Sequence, residues 1–460
     1  MHPDAHDILE TIRHHVDARD VARLTTYLNS LHPADIAEVL GRLEPDERQH
    51  VLDVLDIEGE ADVLGEVDDP VRSQIISELD DHEVTEIVEE MEPDEAADLL
   101  SEMPEERAEH VLELMAPPEA EEVGDLLQYP SETAGGRMSP ALVRAHDKLT
   151  VGDVLDQIRS CDELEEEDIY NIYVVDGADR VRGVVSLWAL VRGSSETPVA
   201  ELIERVQPIP ADMDQERVAT IFHKYDMAAA PVVDEGGRLL GRITFDDIQD
   251  VVVEEMTEDM SKFAGTDDDE LETSSAVKTA RLRLPWLLIC LAGTFVSGSV
   301  ISGFGGSLGQ HLLILMVFVP AVMATAGNSG LQTATMTVRS LATGHADRVG
   351  ASVLILKQMR ASVLVAVACG LAAGAVAILW NRFSPGHIAS GDAVTLGLII
   401  GGSMFAAICL SCTLGVLVPM TFRRIGIDPA VASGPLITTS SDIFSLLVYL
   451  GVATALLKPL

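Results

Sequence analysis

The chain has 460 residues and a formal net charge of −44, yet 47% of its residues are hydrophobic. These properties belong to different parts. Beyond residue 280 there are four acidic and ten basic residues, which leaves 71 acidic and 21 basic residues in the first 280. This asymmetry predicts an acidic soluble region joined to a membrane region. An acidic surface of this density repels nucleic acid and attracts cations, so we expect no nucleic-acid partner.

Residues 1–130 are predicted to form an all-α superhelical domain. The segment "HPADIAEVLGRLEPDE" at 32–47 recurs 48 positions later as "DDHEVTEIVEEMEPDE" at 80–95. Prolines divide this part of the chain into short runs with apolar residues at helical spacing, such as Ile36 and Val39. Short helices stacked as repeats would each bury one face and leave the other face acidic.

A second repeat follows the helical array. The segment "YVVDGADRVRGVVSLWAL" (173–190) matches "PVVDEGGRLLGRITFDDI" (231–248) at an offset of 58. Each copy predicts a strand, a Gly/Asp turn, a second strand and the start of a helix. This is the pattern of tandem CBS domains, which are α+β modules that usually pair with each other and bind adenine nucleotides. The first domain is placed at 131–200 and the second at 201–258.

The two copies differ where a nucleotide would be contacted. Thr244 and Asp247 in the second copy are candidates for contacts to ATP. Ala189 stands in the first copy at the position of Asp247.

An acidic amphipathic helix is predicted from Asp246 onward, in "DDIQDVVVEEMTEDMSKFAG". Residues 246–283 would contain this helix and a linker to the bilayer. Its apolar stripe consists of Ile248, Val252, Met256 and Met260.

Residues 284–460 are predicted to form an all-α domain with five transmembrane helices. Residues 284–338 contain no Asp, Glu, Lys or Arg, and at about 20 residues per span they suit two helices. Apolar stretches at 361–381, 393–420 and 435–457 add three more. Most basic residues fall on one side of these spans, which by the positive-inside rule places the N-terminus in the cytoplasm and the C-terminus outside.

The last apolar stretch, "GPLITTSSDIFSLLVYLGVATALL", contains one acid, Asp442. A carboxylate in the hydrocarbon costs about 2.5–3.5 kcal/mol on insertion scales, and such acids usually line ion paths. The alternative is a buried acid satisfied by Thr438 or Thr439 one turn back.

The order of these parts resembles the MgtE family of magnesium transport proteins. The motifs that carry the resemblance are "MEPDEAADLL" (91–100), "YPSETAGGRM" (129–138), "EEMTEDM" (254–260), "PAVMATAGNSGLQTATMTVRSLATG" (320–344) and "GIDPAVASGPLITTSSDIFSLLVYLGVA" (426–453). The resemblance implies a helical N domain, paired CBS domains, a connecting plug helix and a five-helix pore domain, assembled as a homodimer.

The resemblance also implies pore residues. Asp442 matches the ion-selecting acid of the family, and Asp428 matches an acid at the inner mouth. The segment "AGNSG" (326–330) is either a packed membrane helix or a loosened one. In the second case Gly327 and Asn328 would offer a backbone carbonyl and a side-chain amide to the ion.

The acidic faces of the soluble region are candidates for regulatory Mg²⁺. Their carboxylates lie within one or two helical turns of each other, where like charges repel. Divalent cations at the junctions of the N domain, the CBS domains and the plug helix would neutralise this repulsion. The candidates are Asp94, Asp98, Asp247, Asp250, Glu254, Glu255, Glu258 and Asp259.

Together these features predict a non-enzymatic protein of a prokaryotic plasma membrane that takes up Mg²⁺ through a channel-like homodimer. Mg²⁺ at the acidic cytosolic domains would close it, with ATP as a weaker expectation. One alternative keeps the architecture and transports Mn²⁺ or Co²⁺, and another is a membrane-anchored nucleotide or metal sensor without transport. An intramembrane aspartyl protease would need two facing acids within the spans, and only Asp442 is clearly placed there.

Overall fold

The computed structural model describes residues 5–160, 171–267, 270, 275–308, 315–343, 345–383, 390–432 and 434–457. The chain divides into two compact units, Met1–Glu254 and Glu255–Leu460. Among the described residues, the first unit contains a helical array and two small sheets with their helices, and the second unit is all helical.

The helical array has the short, proline-started elements that the sequence predicts. Its helices are α1 (Ala5–Asp17), α2 (Val21–Leu28), α3 (Pro33–Leu40), α4 (Pro45–Leu52), α5 (Ile57–Gly65), α6 (Asp69–Glu78), α7 (Asp81–Glu90), α8 (Pro93–Glu102), α9 (Glu105–Leu114) and α10 (Pro117–Leu126). Five of them, α3, α4, α6, α8 and α10, have proline in their first turn. Proline suits this place because its missing N–H would have no partner within the helix.

The helices of the array stack on near neighbours. Helix α3 packs on α5, α5 on α7, α7 on α9, and α8 on α10. The predicted core residues Ile36 and Val39 are buried in the resulting core. Each helix thus buries one face against the next repeat, as in other repeat proteins.

The tandem repeat folds into two small sheets with the same topology. The first has β1 (Val143–His146), α11 (Val151–Arg159), β2 (Asn171–Val175), β3 (Val181–Ser186) and α12 (Leu187–Arg192). The second has β4 (Ile209–Pro210), α13 (Gln215–Tyr225), β5 (Ala229–Val233) and β6 (Leu239–Thr244). In each sheet the central strand pairs parallel to the first and antiparallel to the third. The strand–turn–strand pattern of both copies is therefore present.

Helix α14 (Phe245–Ala264) follows the second sheet, as the sequence predicts. Its apolar stripe is divided, because Ile248 is buried whereas Val252, Met256 and Met260 are 41%, 61% and 72% exposed. The linker predicted after this helix lies partly outside the described residues.

The second unit continues with α15 (Ala276–Leu308), α16 (Val319–Ala342), α17 (His345–Val349), α18 (Ala351–Phe383), α19 (Ser390–Arg424) and α20 (Gly434–Leu457). Within the described residues, four of these helices are long and apolar enough to cross a membrane, namely α15, α18, α19 and α20. They correspond to four of the five predicted spans.

Helix α16 covers the other predicted span but is less apolar than these four. It packs against α19 and α20, and its buried face carries several hydroxyl groups. These hydroxyls donate to carbonyls one turn back: Ser329 to Thr325 at 2.8 Å, Thr333 to Ser329 at 2.9 Å and Thr337 to Thr333 at 2.7 Å. Satisfied hydroxyls are tolerated in an apolar bundle, but they lower the hydropathy of the segment. The count of five spans stays a prediction.

Helices α18 and α19 approach each other through glycines. A Cβ on Gly370 would lie 2.7 Å from the Gly401 carbonyl oxygen, and a Cβ on Gly374 would lie 2.8 Å from the Gly397 carbonyl oxygen. Small residues spaced four apart let membrane helices bring their backbones into contact. The absence of a side chain at these positions therefore sets the distance between α18 and α19.

We expect Gly401→Ala to destabilise the membrane unit, because its Cβ would lie 2.6 Å from the Gly370 carbonyl oxygen. Overpacking of this kind typically costs about 1–3 kcal/mol. The matched control is Gly402→Ala, since a Cβ on the adjacent Gly402 meets no atom within 4 Å. Thermal unfolding in detergent should give a lower midpoint for Gly401→Ala only. Equal midpoints for the two variants would contradict the packing role.

Candidate ion-binding sites

Asp442 lies in α20 and faces α16. A Cβ on Gly327 would lie 3.7 Å from Asp442 Oδ1, so the missing side chain leaves space beside the carboxylate. The structure thus brings together two of the predicted pore residues, Asp442 and Gly327. Among the described residues, no lysine or arginine forms an ion pair with Asp442.

Three helices meet one residue before this acid. Ser411 Oγ of α19 donates to the Ala326 carbonyl of α16 at 2.7 Å and lies 2.6 Å from Ser441 Oγ of α20. Both serines are buried. The two hydroxyls therefore hold α20 against α16 and α19 at the residue that precedes Asp442. Sequence reasoning missed Ser411 because a single serine in an apolar run gives no signal of its partner.

Helix α16 is continuous through residues 326–330. Gly330 is a packing position, since a Cβ there would lie 3.0 Å from Ser441 Oγ and closer still to Ser411 Oγ. Asn328 is exposed on the surface of the single chain. The "AGNSG" segment is therefore a packed helix in this structure, with the Asn328 amide directed away from the bundle core.

Asp428 lies in the short connection between α19 and α20. Its carboxylate accepts a hydrogen bond from Ala430 N at 2.7 Å and begins a single 3₁₀ turn, Pro429–Val431. Lys262 of α14 reaches the same carboxylate, with Nζ 3.0 Å from Asp428 Oδ2, and also pairs with Glu258. Asp259 lies near them, and burial followed by repulsion from Asp428 raises its pKa to about 6. Three predicted acids thus gather around one lysine that the sequence analysis did not single out.

In the first unit, Asp94 has one carboxylate oxygen, Oδ1, that is buried. It lies in the first turn of α8, and its Oδ1 accepts no hydrogen bond from the described residues. Burial, followed by repulsion from Glu92 and Asp247, raises the pKa of Asp94 well above its usual range. An unsatisfied buried carboxylate oxygen is costly unless a proton or a cation neutralises it.

Asp94 borders a cavity of about 700 Å³ between α8 and the second sheet. The cavity is also lined by Arg242, Thr244 and Asp247. Asp247 Oδ2 accepts hydrogen bonds from Thr244 N at 2.8 Å and from Thr244 Oγ1 at 2.6 Å. These bonds position Asp247 at the start of α14, although burial still raises its pKa. The two residues predicted for nucleotide contact are therefore bonded to each other at the wall of this cavity.

Two other predicted metal ligands share an arginine. Arg137 pairs with Glu254 of α14, and its Nη1 lies 3.4 Å from Asp98 Oδ2 of α8. Its Nε also donates to Gln215 Oε1 at 3.1 Å. A guanidinium thus already bridges carboxylates from the two segments that the sequence analysis expected a metal ion to join. Sequence reasoning missed the role of Arg137, although it is the one basic residue of the motif "YPSETAGGRM" and lies between acidic segments. That isolated positive charge was the signal that could have identified it.

Across the part of the chain that the structure describes, no three His, Cys, Asp or Glu side chains are grouped as ligands of one metal ion. Sites of one or two carboxylates completed by water suit Mg²⁺, which dehydrates reluctantly. They are less suited to ions that proteins hold with His and Cys.

Comparison with known proteins identifies the chain. The family model described as the MgtE intracellular N domain matches residues 31–132, the CBS domain model matches 199–254, and the model described as a divalent cation transporter matches 319–452. The chain is 35% identical over 333 residues to the magnesium transporter MgtE of Bacillus subtilis, covering 72% of this chain and 71% of that protein. The chain belongs to the MgtE family. The resemblance seen in the sequence is confirmed.

Other MgtE proteins are also similar to this chain. The magnesium transporter MgtE of Thermus thermophilus is 36% identical over 335 residues, which cover 72% of this chain and 71% of that protein. The crystal structure of the cytosolic domain of the Mg²⁺ channel MgtE in complex with ATP is similar to the soluble region, with 33% identity and a TM-score of 0.50. It covers 53% of this chain and 99% of that structure. Family membership and the four apolar helices make this chain a multi-pass membrane protein.

Carboxylates with a raised pKa should make the soluble region of this MgtE chain sensitive to pH. The pKa of Glu60 is raised to about 7 by burial and by Asp53, and that of Glu95 to about 7 by burial and by Glu92. Both groups hold protons more tightly in the folded than in the unfolded state, whose pKa is 4.5. Their stabilising contribution is thus complete below pH 4.5 and is lost as the pH rises to about 7.

In divalent-free buffer we therefore expect the thermal midpoint of the soluble region to fall between pH 5 and pH 8, by about 2–4 °C for each kcal/mol lost. Carboxylates with a lowered pKa, such as Asp80 and Asp153, do not titrate in this window. The double variant Glu60→Gln and Glu95→Gln should show a smaller fall. A wild-type midpoint that rises from pH 5 to pH 8 would contradict the assignment.

Proposed function

We propose that this chain takes up Mg²⁺ across the plasma membrane of a prokaryote as a channel-like homodimer, and that Mg²⁺ bound to its acidic cytosolic region closes it. The observation that carries the proposal is the position of Asp442 against Gly327 between apolar helices, in a family whose curated members are named magnesium transporters. Intramembrane acids of this kind usually mark ion pathways.

In the proposed pore, the Asp442 carboxylates of two subunits hold one Mg²⁺ through its water shell. Mg²⁺ keeps several waters in octahedral geometry, so two carboxylates neutralise its charge without removing its hydration. The exposed Asn328 supports a second subunit, because an amide facing lipid would lack partners. Ion binding is then favourable enough for entry and weak enough for release, as conduction requires.

In the proposed gate, Mg²⁺ favours the state in which the acidic segments lie together. Asp94 supports this because one of its oxygens is buried without a hydrogen bond and faces repulsion from Asp247. A bridging divalent ion would neutralise both carboxylates and stabilise the closed arrangement. Because the ion binds the closed state more tightly, it shifts the population toward closure. Asp250, Glu255 and Asp259 are the further proposed ligands, with Asp98, Glu254 and Glu258 in the same segments.

The cavity at the second sheet is proposed as the ATP site. It combines an arginine, Arg242, with the Thr244–Asp247 pair and an aromatic residue, Phe222. The related cytosolic domain that matches this region was solved in complex with ATP. Arginine suits phosphate groups because its guanidinium can donate two parallel hydrogen bonds.

The proposed topology has five spans, namely the four apolar helices and α16, which is the second span in chain order. It places the acidic region in the cytoplasm and the C-terminus outside. The positively charged residues next to the apolar helices support this orientation. Helix α14 would then act as the plug at the inner mouth of the pore.

The test is ion flux into vesicles reconstituted with the purified full-length chain. We expect Mg²⁺ entry that falls as the Mg²⁺ concentration on the acidic side rises. Measurement ion by ion separates Mg²⁺ from Mn²⁺ and Co²⁺, which would enter equally well if the chain were a general divalent cation transporter. Flux no greater than in protein-free vesicles would favour a membrane-anchored sensor and would overturn the proposal.

A further inference from the structure

The end of α14 is joined to the start of α20 by several contacts of different kinds. Lys262 Nζ lies 3.0 Å from Asp428 Oδ2, and the same ammonium pairs with Glu258 one turn earlier. All three side chains are about one third exposed. Burial alone would lower the pKa of Lys262, but hydrogen bonds to Glu258 and Asp428 outweigh it and raise that pKa, so the amine stays charged.

The backbone also fixes the two ends of this contact. Helix α14 is followed directly by Gly265, whose φ of +75° is in the left-handed region that favours glycine. A Cβ there would lie 2.7 Å from Pro435 Cγ in the first turn of α20. Asp428 is held on its side by its hydrogen bond from Ala430 N. Lys262 therefore closes a contact whose partners are already positioned by the backbone.

The charge at this junction is not balanced by the lysine alone. Glu258, Asp259 and Asp428 carry three negative charges when ionised, against one positive charge on Lys262. The ammonium can nevertheless hold two of these carboxylates together without any metal ion. It differs from a bound Mg²⁺ in that it is part of the chain and is always present.

We propose that Lys262 is an internal cation that latches the end of α14 to Asp428 and reduces the amount of Mg²⁺ needed to close the pore. The regulatory part of this inference rests on the proposed function, in which Mg²⁺ closes the chain. In this arrangement the latch supplies part of the attraction between α14 and the connection before α20. Bound Mg²⁺ supplies the remainder.

The test uses variants that change charge and keep shape. Lys262→Met keeps an unbranched side chain of nearly the same length and removes the ammonium, and Lys262→Arg keeps a positive charge. Asp428→Asn keeps an oxygen that accepts from Ala430 N. Lys357→Met is the control, because it removes an exposed base from α18 in the same unit. Flux is normalised to the maximum of each variant and recorded against Mg²⁺ on the acidic side.

We expect Lys262→Met to raise the half-inhibiting Mg²⁺ concentration about 2- to 5-fold, which is the effect of one partly exposed ion pair. Asp428→Asn should give a similar shift, and the double variant should shift no further, because both changes break one interaction. Lys262→Arg and Lys357→Met should match the wild type. An unchanged or lower half-inhibiting concentration in Lys262→Met would overturn the latch, the lower value showing that Lys262 competes with Mg²⁺ for the acids.

A second measurement does not depend on transport. Hydrogen exchange of the amides in 258–265, in Mg²⁺-free full-length protein, should be faster in Lys262→Met and Asp428→Asn than in the wild type or in Lys357→Met. Equal exchange in all four proteins would show that the latch does not hold this segment. If wild-type vesicles carried no Mg²⁺, the proposed function would fail, and the exchange rates would still decide whether the latch exists.

Discussion

Asp442→Asn should abolish Mg²⁺ flux while the protein still inserts and assembles. The amide keeps the size and an oxygen of the carboxylate but cannot neutralise an ion between two subunits. Loss of an intramembrane charge also removes an insertion penalty of about 2.5–3.5 kcal/mol, so the variant should be no less stable than the wild type. Flux into vesicles and gel filtration in detergent measure the two expectations separately.

The matched control for Asp442→Asn is Thr454→Ala, three turns further along α20. Its hydroxyl donates to the Leu450 carbonyl at 2.7 Å and does not contact the Asp442 site. This variant should conduct as the wild type does. Wild-type flux in Asp442→Asn would remove Asp442 from the pore. A loss of flux in both variants would instead point to a general effect on α20.

Neutralising the proposed gating acids should leave the pore open at Mg²⁺ concentrations that silence the wild type. The variant carries Asn or Gln at Asp94, Asp98, Glu255, Glu258 and Asp259. The change removes repulsion, which favours closure, but it also removes the ligands through which a divalent ion joins the segments. We expect the loss of bridging to dominate, because a bridged ion fixes a geometry that neutrality alone does not. The half-inhibiting Mg²⁺ concentration should rise at least about tenfold.

The structure divides these acids into two groups that can be tested apart. Asp98 is paired with Arg137 and Glu258 with Lys262, so neutralising them also breaks an internal ion pair. A double variant, Asp94→Asn and Asp259→Asn, changes two acids that form no ion pair among the described residues. This double variant alone should give most of the rise in the half-inhibiting Mg²⁺ concentration. The control neutralises three exposed acids of α10, Glu119, Glu121 and Glu122, and should be inhibited as the wild type is. An unshifted response in the five-site variant would place the gating sites elsewhere.

Local signals made much of the fold predictable. Prolines mark the starts of several helices of the array, and the internal repeat at an offset of 58 anticipates two sheets of identical strand order. Both signals lie within a few residues of the element that they define. The apolar stretches likewise correspond to α15, α18, α19 and α20. Helix α16 is harder to assign by hydropathy because its hydroxyls count as polar, although they are satisfied by carbonyls of the same helix.

The pairing of charges could not be predicted in the same way. Asp442 stands out because an acid is rare in an apolar stretch, and its neighbour Gly327 was anticipated through the family motif. Arg137 reaches Glu254 across 117 residues of sequence, and no local pattern specifies such a contact. Lys262 and Asp428 are likewise brought together only by the packing of α14 on the start of α20. Acidic runs therefore identify where cations are attracted, but not whether the cation is a metal ion or a side chain of the chain itself.

The glycine contacts between helices also determine which parts of the membrane unit can slide. Helices α18 and α19 touch through backbone atoms at Gly370 and Gly401, and α19 meets α16 in the same way at Gly415. At these glycines one backbone meets the other without an intervening side chain, which restricts the sliding of one helix past its neighbour. We therefore expect these three helices to move as one body. Helix α15 is the least buried of the four apolar helices in the described residues, and it packs against α20, so we expect movement of α15 to act on the helix that carries Asp442.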